Sequence, residues 1–152
     1  MNSSVDYSPV AKALVHLLAD SYFLYLKTQQ FHWNVRGPAF WGLHQMFEQQ
    51  YTEMAAAIDE IAERIRFLGV LTPGSFKAFS QYASIRENED LDLSPEQMVQ
   101  MLEGDQLLCA DRCRQGIIIT GEHNDEASTD LFVGRQSVHE KNAWLLKSSL
   151  PS

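Results

Sequence analysis

Apolar and small residues recur along the first part of the chain at alternating steps of three and four positions. That spacing places them on one face of an α-helix, which completes a turn about every 3.6 residues. The pattern therefore predicts a first helix over residues 8–33 with a single buried stripe. The stripe consists of Val10, Leu14, Leu17, Ser21, Leu24, Thr28 and Phe31.

A second stripe with the same spacing predicts another long helix over residues 39–68. Gly37 and Pro38 separate the two helices, and Pro38 suits the first turn of the second one. Gly69 is placed to end the second helix. The stripe consists of Phe40, Leu43, Phe47, Met54, Ile58, Ile61, Ile65 and Leu68.

The connector that follows, as far as about residue 92, is long enough to hold a short helix around an apolar cluster. The cluster consists of Phe76, Phe79 and Tyr82. Ser94 then reads as a helix N-cap, with Pro95 at the first helical position and Gln97 completing a capping box. A third long helix is predicted from there to about Thr120.

The turn at residues 121–124 precedes a fourth predicted helix. Asp125, Glu126 and Asp130 place negative charge in its first turns, which is favourable for the helix dipole. This helix carries the apolar residues Leu131, Val138, Leu145 and Leu146.

Four amphipathic helices with one longer connection between the second and third predict an all-α fold. Strand signals are nearly absent, and the arrangement is typical of a ferritin-like four-helix bundle with a short helix in the crossover. We expect a single domain over residues 8–150, preceded by a short flexible tail at residues 1–7.

Composition and charge indicate which classes of partner the protein is suited to bind. The chain has 20 Asp and Glu against 12 Lys and Arg, a formal charge of -8, so its surface should on average repel phosphate backbones and attract cations. No stretch approaches the roughly 20 apolar residues of a membrane span, and no targeting segment is recognisable at the start. We expect a cytoplasmic protein, with association with the nucleoid left open.

The only cysteines, Cys109 and Cys113, lie four residues apart in a helical pattern. They form neither a disulfide framework nor a C-x-x-C redox pair. We interpret them as reduced packing residues.

The candidate chemistry lies on the second helix. A di-iron site inside a four-helix bundle typically uses two Glu-x-x-His motifs, and none of the five histidines here has a Glu three residues before it. The second helix instead carries His44 with Glu48 and Asp59 with Glu63, two pairs at a spacing of four that share one helical face.

The two pairs cannot reach one ion from a single helix, since their centres are about 22 Å apart along its axis. Two antiparallel copies of the helix, related by a two-fold axis, can set Asp59 and Glu63 of one against His44 and Glu48 of the other. Such symmetry makes two equivalent sites per dimer. A lone His or Glu on a helix is usually solvated, so the repeated spacing is what favours a metal site.

His32 ends the first helix and can supply a second imidazole, because the short turn after it keeps the two helix ends close. Two imidazoles with carboxylates suit Fe(II) or Zn, with Mn also possible, and give no reason to expect Cu(I).

The segment FHWNVRGPAFWGLHQMFEQQYTEMAAAIDEIAERI, residues 31–65, resembles the signature of the Dps family, the mini-ferritins of starved bacterial cells. Weaker similarity extends over nearly the whole chain. The resemblance implies a dodecamer that encloses ferric mineral, with ferroxidase sites at two-fold interfaces. The ligand positions that it implies are His32, His44, Glu48, Asp59 and Glu63. Glu48 departs from the commonest pattern, in which Asp stands at this position. Its extra methylene is expected to shift or weaken the second metal position.

The resemblance also implies that Fe(II) is oxidised by hydrogen peroxide, which accepts two electrons at paired iron and releases no hydroxyl radical. Trp33, beside His32, is a candidate radical trap, although packing is the more ordinary role of a large aromatic. Asp125 and Asp130 resemble the family's acidic pore residues, with Glu122 and Glu126 as weaker candidates. A favourable helix N-terminus explains these charges equally well.

DNA binding in this family often relies on a mobile Lys-rich tail. Residues 1–11 contain no Lys or Arg, and the net charge is -8, so we do not expect direct DNA binding. Bridging by divalent cations is the remaining route.

Two alternatives from other functional classes remain. One is a non-enzymatic shell or DNA-compacting protein that keeps the fold and lacks the iron chemistry. The other is an interaction protein of the same bundle class that docks through Phe76 and Phe79.

Overall fold

Five α-helices make up most of the described chain. The structure is a computed structural model and describes residues 5–151, so residues 1–4 of the predicted tail lie outside it. In chain order the helices are α1 (Pro9–Asn34), α2 (Phe40–Phe67), α3 (Phe76–Tyr82), α4 (Pro95–Glu122) and α5 (Glu126–Ser148). The four long helices and the short connector helix are confirmed, with ends within about two residues of those predicted.

Local chemistry explains where the helices begin and end. Ser94 Oγ accepts a hydrogen bond from Gln97 N at 3.1 Å, and Gln97 Oε1 accepts one from Ser94 N at 2.8 Å, which completes the predicted capping box. Ser8 Oγ caps α1 by accepting from Ala11 N at 3.3 Å. Gly69 follows α2 with a φ of +83°, a left-handed conformation that glycine adopts without steric cost.

The four long helices form one bundle. α1 packs against α2 and α4, α4 packs against α5, and α3 lies against α1. Ion pairs join Arg64 to Asp125 and Glu53 to Arg135, so α2 and α5 run in opposite directions. The whole predicted stripe of α1 is buried in the core. Among residues 5–151, none of the helices combines the length and apolar character needed to cross a bilayer.

The buried faces differ from the predicted apolar pattern on two helices, α2 and α5. Phe40 is 38% exposed, because it is the first residue of α2 and stacks on His44 at the edge of the bundle. On α5, only Leu146 among the four apolar residues noted in the sequence is buried, while Leu131, Val138 and Leu145 are half-buried. The buried face of α5 consists of Ser128, Phe132, Arg135, His139, Asn142, Ala143 and Leu146.

The contact between α4 and α5 depends on a glycine. A Cβ placed on Gly116 would lie 2.5 Å from Cε1 of the buried Phe132 ring. Gly116→Ala is therefore expected to displace the ring and to lower the free energy of unfolding by about 1–3 kcal/mol in a denaturant titration.

Gly104→Ala is the matched control, because Gly104 also lies within α4 and a Cβ there meets nothing within 4 Å. This variant should gain up to about 1 kcal/mol from the better helix propensity of alanine. Equal gains in the two variants would contradict a tight contact at Gly116.

The connector between α2 and α4 is held by one buried carboxylate. Asp20 is fully buried, and its Oδ1 accepts hydrogen bonds from the backbone N–H groups of Ser84 at 2.5 Å and Ile85 at 3.0 Å. Its Oδ2 accepts from Arg112 Nε at 3.2 Å, and Arg112 also donates to Ser84 Oγ. Asp20 thus ties α1, the connector and α4 together.

Polar side chains also meet inside the bundle. His139 Nδ1 lies 2.6 Å from Gln106 Oε1, and Arg135 Nη2 lies 3.4 Å from His139 Nε2. Arg135 Nη1 donates to Glu53 at 2.5 Å. Burial, and then the charge of Arg135, lower the pKa of His139 to about 3. His139 is therefore a neutral core histidine near neutral pH.

The depressed pKa of His139 predicts a pH dependence of stability. In the unfolded chain the imidazole has a pKa of about 6.5. Between that value and about 3, the unfolded chain binds more protons than the folded one, so acidification destabilises the fold. The contribution approaches about 1.4 kcal/mol per pH unit.

Denaturant titrations at several pH values should show this contribution as a difference between the natural chain and His139→Gln. The stability advantage of the natural chain should shrink as the pH falls from about 7 to about 4. Parallel pH profiles for the two proteins would show that His139 does not carry this dependence.

Cys109 and Cys113 are both free and buried. Burial raises the pKa of each thiol, that of Cys113 to about 12, so both favour the unreactive protonated form. Their surroundings agree with the packing role predicted for them.

Candidate metal centre

Two of the predicted ligands are brought together at one end of the bundle. His32 lies in the last turn of α1 and His44 in the second turn of α2, and the tight turn at residues 35–39 joins these helices. Their imidazole rings stack with centroids 3.7 Å apart and an interplanar angle of 16°. The prediction that the short turn keeps the two helix ends close is confirmed.

Reciprocal hydrogen bonds lock the two rings. His32 Nδ1 lies 2.7 Å from the backbone oxygen of His44, and His44 Nδ1 lies 2.7 Å from the backbone oxygen of His32. A carbonyl oxygen only accepts, so each Nδ1 carries the proton. In the neutral imidazoles each Nε2 therefore keeps its lone pair, the form in which histidine binds a metal, with the ring already oriented by its second nitrogen.

Aromatic rings enclose the histidine pair. Tyr51 meets His32 edge to face at a centroid distance of 5.2 Å, and Phe40 stacks on His44 at 4.8 Å. His32 is only 8% exposed. The sequence interpretation missed Tyr51, although its position seven residues after His44 places it on the same face of α2.

The three candidate carboxylates do not reach the histidine pair within one chain. Glu48, Asp59 and Glu63 are exposed on α2, and within the described residues none of them forms an ion pair. Over residues 5–151, no three His, Cys, Asp or Glu side chains lie together as a potential metal site. A single chain therefore presents two nitrogen donors at one place and free carboxylates further along the same helix.

The predicted pore residues have different surroundings. Asp125 caps α5 by accepting from Ser128 N at 3.0 Å, and it pairs with Arg64 at 3.0 Å. Partial burial alone would raise the pKa of Asp125, but the hydrogen bonds from Ser128 and the charge of Arg64 outweigh it and lower that pKa. Asp130 is exposed and lines a groove of about 610 Å³ between α2 and α5, together with Glu63. Glu122 and Glu126 are exposed.

Trp33 lies outside the aromatic enclosure of the histidine pair. It is 60% exposed and lines a cavity of about 300 Å³ with Phe23 and Gln30. The aromatic rings that contact the histidines are those of Tyr51 and Phe40 instead.

Comparisons with known proteins agree with this architecture. Residues 11–151 match the family of ferritin-like domains. DNA protection during starvation protein 2 of Bacillus anthracis is 36% identical over 141 residues, which cover 93% of this chain and 96% of that protein.

Solved structures are similar over nearly the full length. The crystal structure of Dps from Staphylococcus aureus has a TM-score of 0.90 and 34% identity, covering 94% of this chain and 95% of that one. The DPS protein from Vibrio cholerae O1 has a TM-score of 0.88 and 32% identity, covering 93% and 89%. The latter is described as a member of a broad superfamily of ferritin-like diiron-carboxylate proteins.

Proposed function

The chain belongs to the Dps family of ferritin-like proteins, and from this premise we propose that it stores and detoxifies iron. In this proposal it acts as a ferroxidase that oxidises Fe(II) with hydrogen peroxide. The observation that carries the proposal is the locked histidine pair, whose Nε2 atoms are left free for a metal.

The site is completed by a second copy of the chain. The carboxylates of Asp59 and Glu63 are exposed and without an ion-pair partner among the described residues, and they lie about 22 Å along α2 from His44 and Glu48. An antiparallel α2 from a partner copy places Asp59 and Glu63 of each chain beside the histidine pair and Glu48 of the other chain. The dimer then has two equivalent sites.

Each group in the shared site has a task that follows from its chemistry. His32 and His44 bind the substrate iron through nitrogen, in an orientation fixed by the backbone carbonyls. The carboxylates supply negative charge that attracts Fe(II) and balances the greater charge of Fe(III). The same nitrogen and oxygen donors also suit Zn(II) or Mn(II).

The reaction balances when two irons react with one peroxide. Two Fe(II) ions lose one electron each, and H2O2 takes up both electrons and two protons to give two molecules of water and two Fe(III). Because the O–O bond receives both electrons at one site, no hydroxyl radical is released. The longer side chain of Glu48, compared with Asp, is expected to affect the second iron position most.

We propose that the product is stored in a dodecameric shell, in the cytoplasm. Several large apolar side chains are exposed on the single chain, which supports burial against other copies. They include Trp41, Phe67, Leu71, Phe76 and Trp144. The exposed Asp130 is the better candidate for a pore that admits iron, because Asp125 already serves as a helix cap and ion-pair partner.

Direct DNA binding is not part of this proposal. The formal charge of -8, and the absence of Lys and Arg from residues 1–11, give the phosphate backbone little to bind. Protection of DNA then follows from removal of Fe(II) and peroxide.

Complementation between two inactive variants tests the shared site. One variant carries His32→Ala and His44→Ala, and the other carries Asp59→Asn and Glu63→Gln. Each alone should oxidise Fe(II) at close to the background rate. When equal amounts are unfolded and refolded together, half of the dimers are mixed, and each mixed dimer has one intact site. The mixture should therefore recover about a quarter of the natural activity.

The same mixing of each variant with itself is the control and should recover nothing. If the mixed assembly stays inactive while its size matches that of the natural protein, the ligands are not shared between copies. Activity in the Asp59→Asn, Glu63→Gln variant alone would instead remove these two carboxylates from the site.

A further inference from the structure

A layer of polar side chains lies inside the bundle, apart from the histidine pair. It is formed by Gln50 of α2, Gln106 of α4, and Arg135, His139 and Asn142 of α5, all less than one-tenth exposed. Buried polar groups are costly unless they are hydrogen-bonded, so each polar atom of this layer needs a partner.

Contacts between the helices place these residues at one level. α2 and α5 run antiparallel, because Arg64 pairs with Asp125 while Glu53 pairs with Arg135. Gln50 precedes Glu53 by one turn, so it lies at the level of the turn that follows Arg135 on α5. That turn carries His139, and Asn142 begins the next.

Hydrogen bonds fix the orientation of two members of the layer. His139 Nε2 lies 3.4 Å from Arg135 Nη2, which can only donate, so this ring nitrogen is the acceptor. His139 Nδ1 therefore carries the proton and donates to Gln106 Oε1 at 2.6 Å. The amide group of Gln106 is thereby oriented with its Nε2 directed away from the histidine.

Several polar atoms of the layer have no protein partner. Gln106 Nε2, Arg135 Nε and Asn142 Nδ2 are buried donors without acceptors, and both amide atoms of Gln50 are unpaired. A dry interior would leave all five unsatisfied within one layer, whereas native proteins leave only a few such atoms per hundred residues.

We propose that this layer is a binding site for ordered water inside the bundle. Water accepts hydrogen bonds from Gln106 Nε2 and Arg135 Nε and donates to Gln50 Oε1, which supplies the two to four partners that a buried water needs. A small anion fits less well, because Glu53 at 2.5 Å already balances the charge of Arg135. Glu53 and Arg135 also line the groove between α2 and α5, which gives solvent a route to the layer.

A crystal structure of the assembled protein at about 1.5 Å resolution tests the site directly. The expected result is a density peak within hydrogen-bond distance of both Gln106 Nε2 and Arg135 Nε. Continuous protein density with no peak near these atoms would overturn the proposal.

Thermal unfolding of Gln50→Met supplies an independent test, because the two alternatives predict opposite signs. If water satisfies Gln50, the substitution removes hydrogen bonds and should lower Tm by about 2–6 °C. If the layer is dry, the substitution relieves two unsatisfied atoms and should raise Tm. Gln49→Met, at the exposed neighbouring position, is the control and should change Tm by less than about 2 °C. A rise in Tm for Gln50→Met alone would overturn the proposal.

Discussion

A variant with both His32→Ala and His44→Ala is expected to oxidise Fe(II) at least about 100-fold more slowly than the natural chain. The substitutions remove the two imidazole nitrogen donors that the structure brings together at this site. The carboxylates of α2 remain, but the iron loses the two imidazole ligands that complete its coordination shell. Absorbance of the ferric product after addition of peroxide measures the rate.

A His16→Ala, His123→Ala variant is the matched control. His16 bonds to the backbone oxygen of Tyr82 and His123 to that of Ile119, away from the stacked pair. This control removes the same number of imidazoles and should keep the natural oxidation rate.

The outcomes separate the competing functions. Loss of activity in the control as well would show that general damage, and not loss of the pair, explains the effect. If the natural chain itself behaves like buffer, the ferroxidase proposal fails. A non-enzymatic shell or a docking protein would then take its place, while the fold assignment would stand.

Asp20→Ala is expected to cause the largest loss of stability, about 3–5 kcal/mol in the free energy of unfolding. The carboxylate is fully buried, and its removal leaves the Ser84 and Ile85 N–H groups and the Arg112 guanidinium without their acceptor. Since these contacts hold the connector to α1 and α4, the loss should appear in urea titration as a lower unfolding midpoint.

Two control variants, Asp20→Asn and Asp111→Ala, are compared with Asp20→Ala. Asparagine keeps one acceptor oxygen, so its loss should be smaller than that of alanine. Asp111 pairs with Arg114 at the surface, and its removal should change stability by no more than about 0.5 kcal/mol. An Asp20→Ala effect as small as that of Asp111→Ala would contradict the anchoring role.

The sequence by itself determined the secondary structure and the meeting of the two histidines of the candidate site. Helix ends depend on residues within four positions of one another, such as Ser94 with Gln97, so the capping box can be recognised from the sequence alone. The stripe of α1 was equally visible, because burial of a whole apolar face follows its spacing. The meeting of His32 and His44 followed from a turn too short to separate them.

Only the tertiary structure decided which polar groups are buried and what they bond. Asp20 finds its partners on the connector and α4, and His139 finds Gln106 on α4. Much of the buried face of α5 is polar, and Glu53 of α2 and Gln106 of α4 supply some of its hydrogen bonds. Such pairings join residues tens of positions apart, and no local spacing encodes them. The hydrogen bonds from the two imidazoles to backbone carbonyls join residues only twelve positions apart, yet they too form only once α1 and α2 have packed.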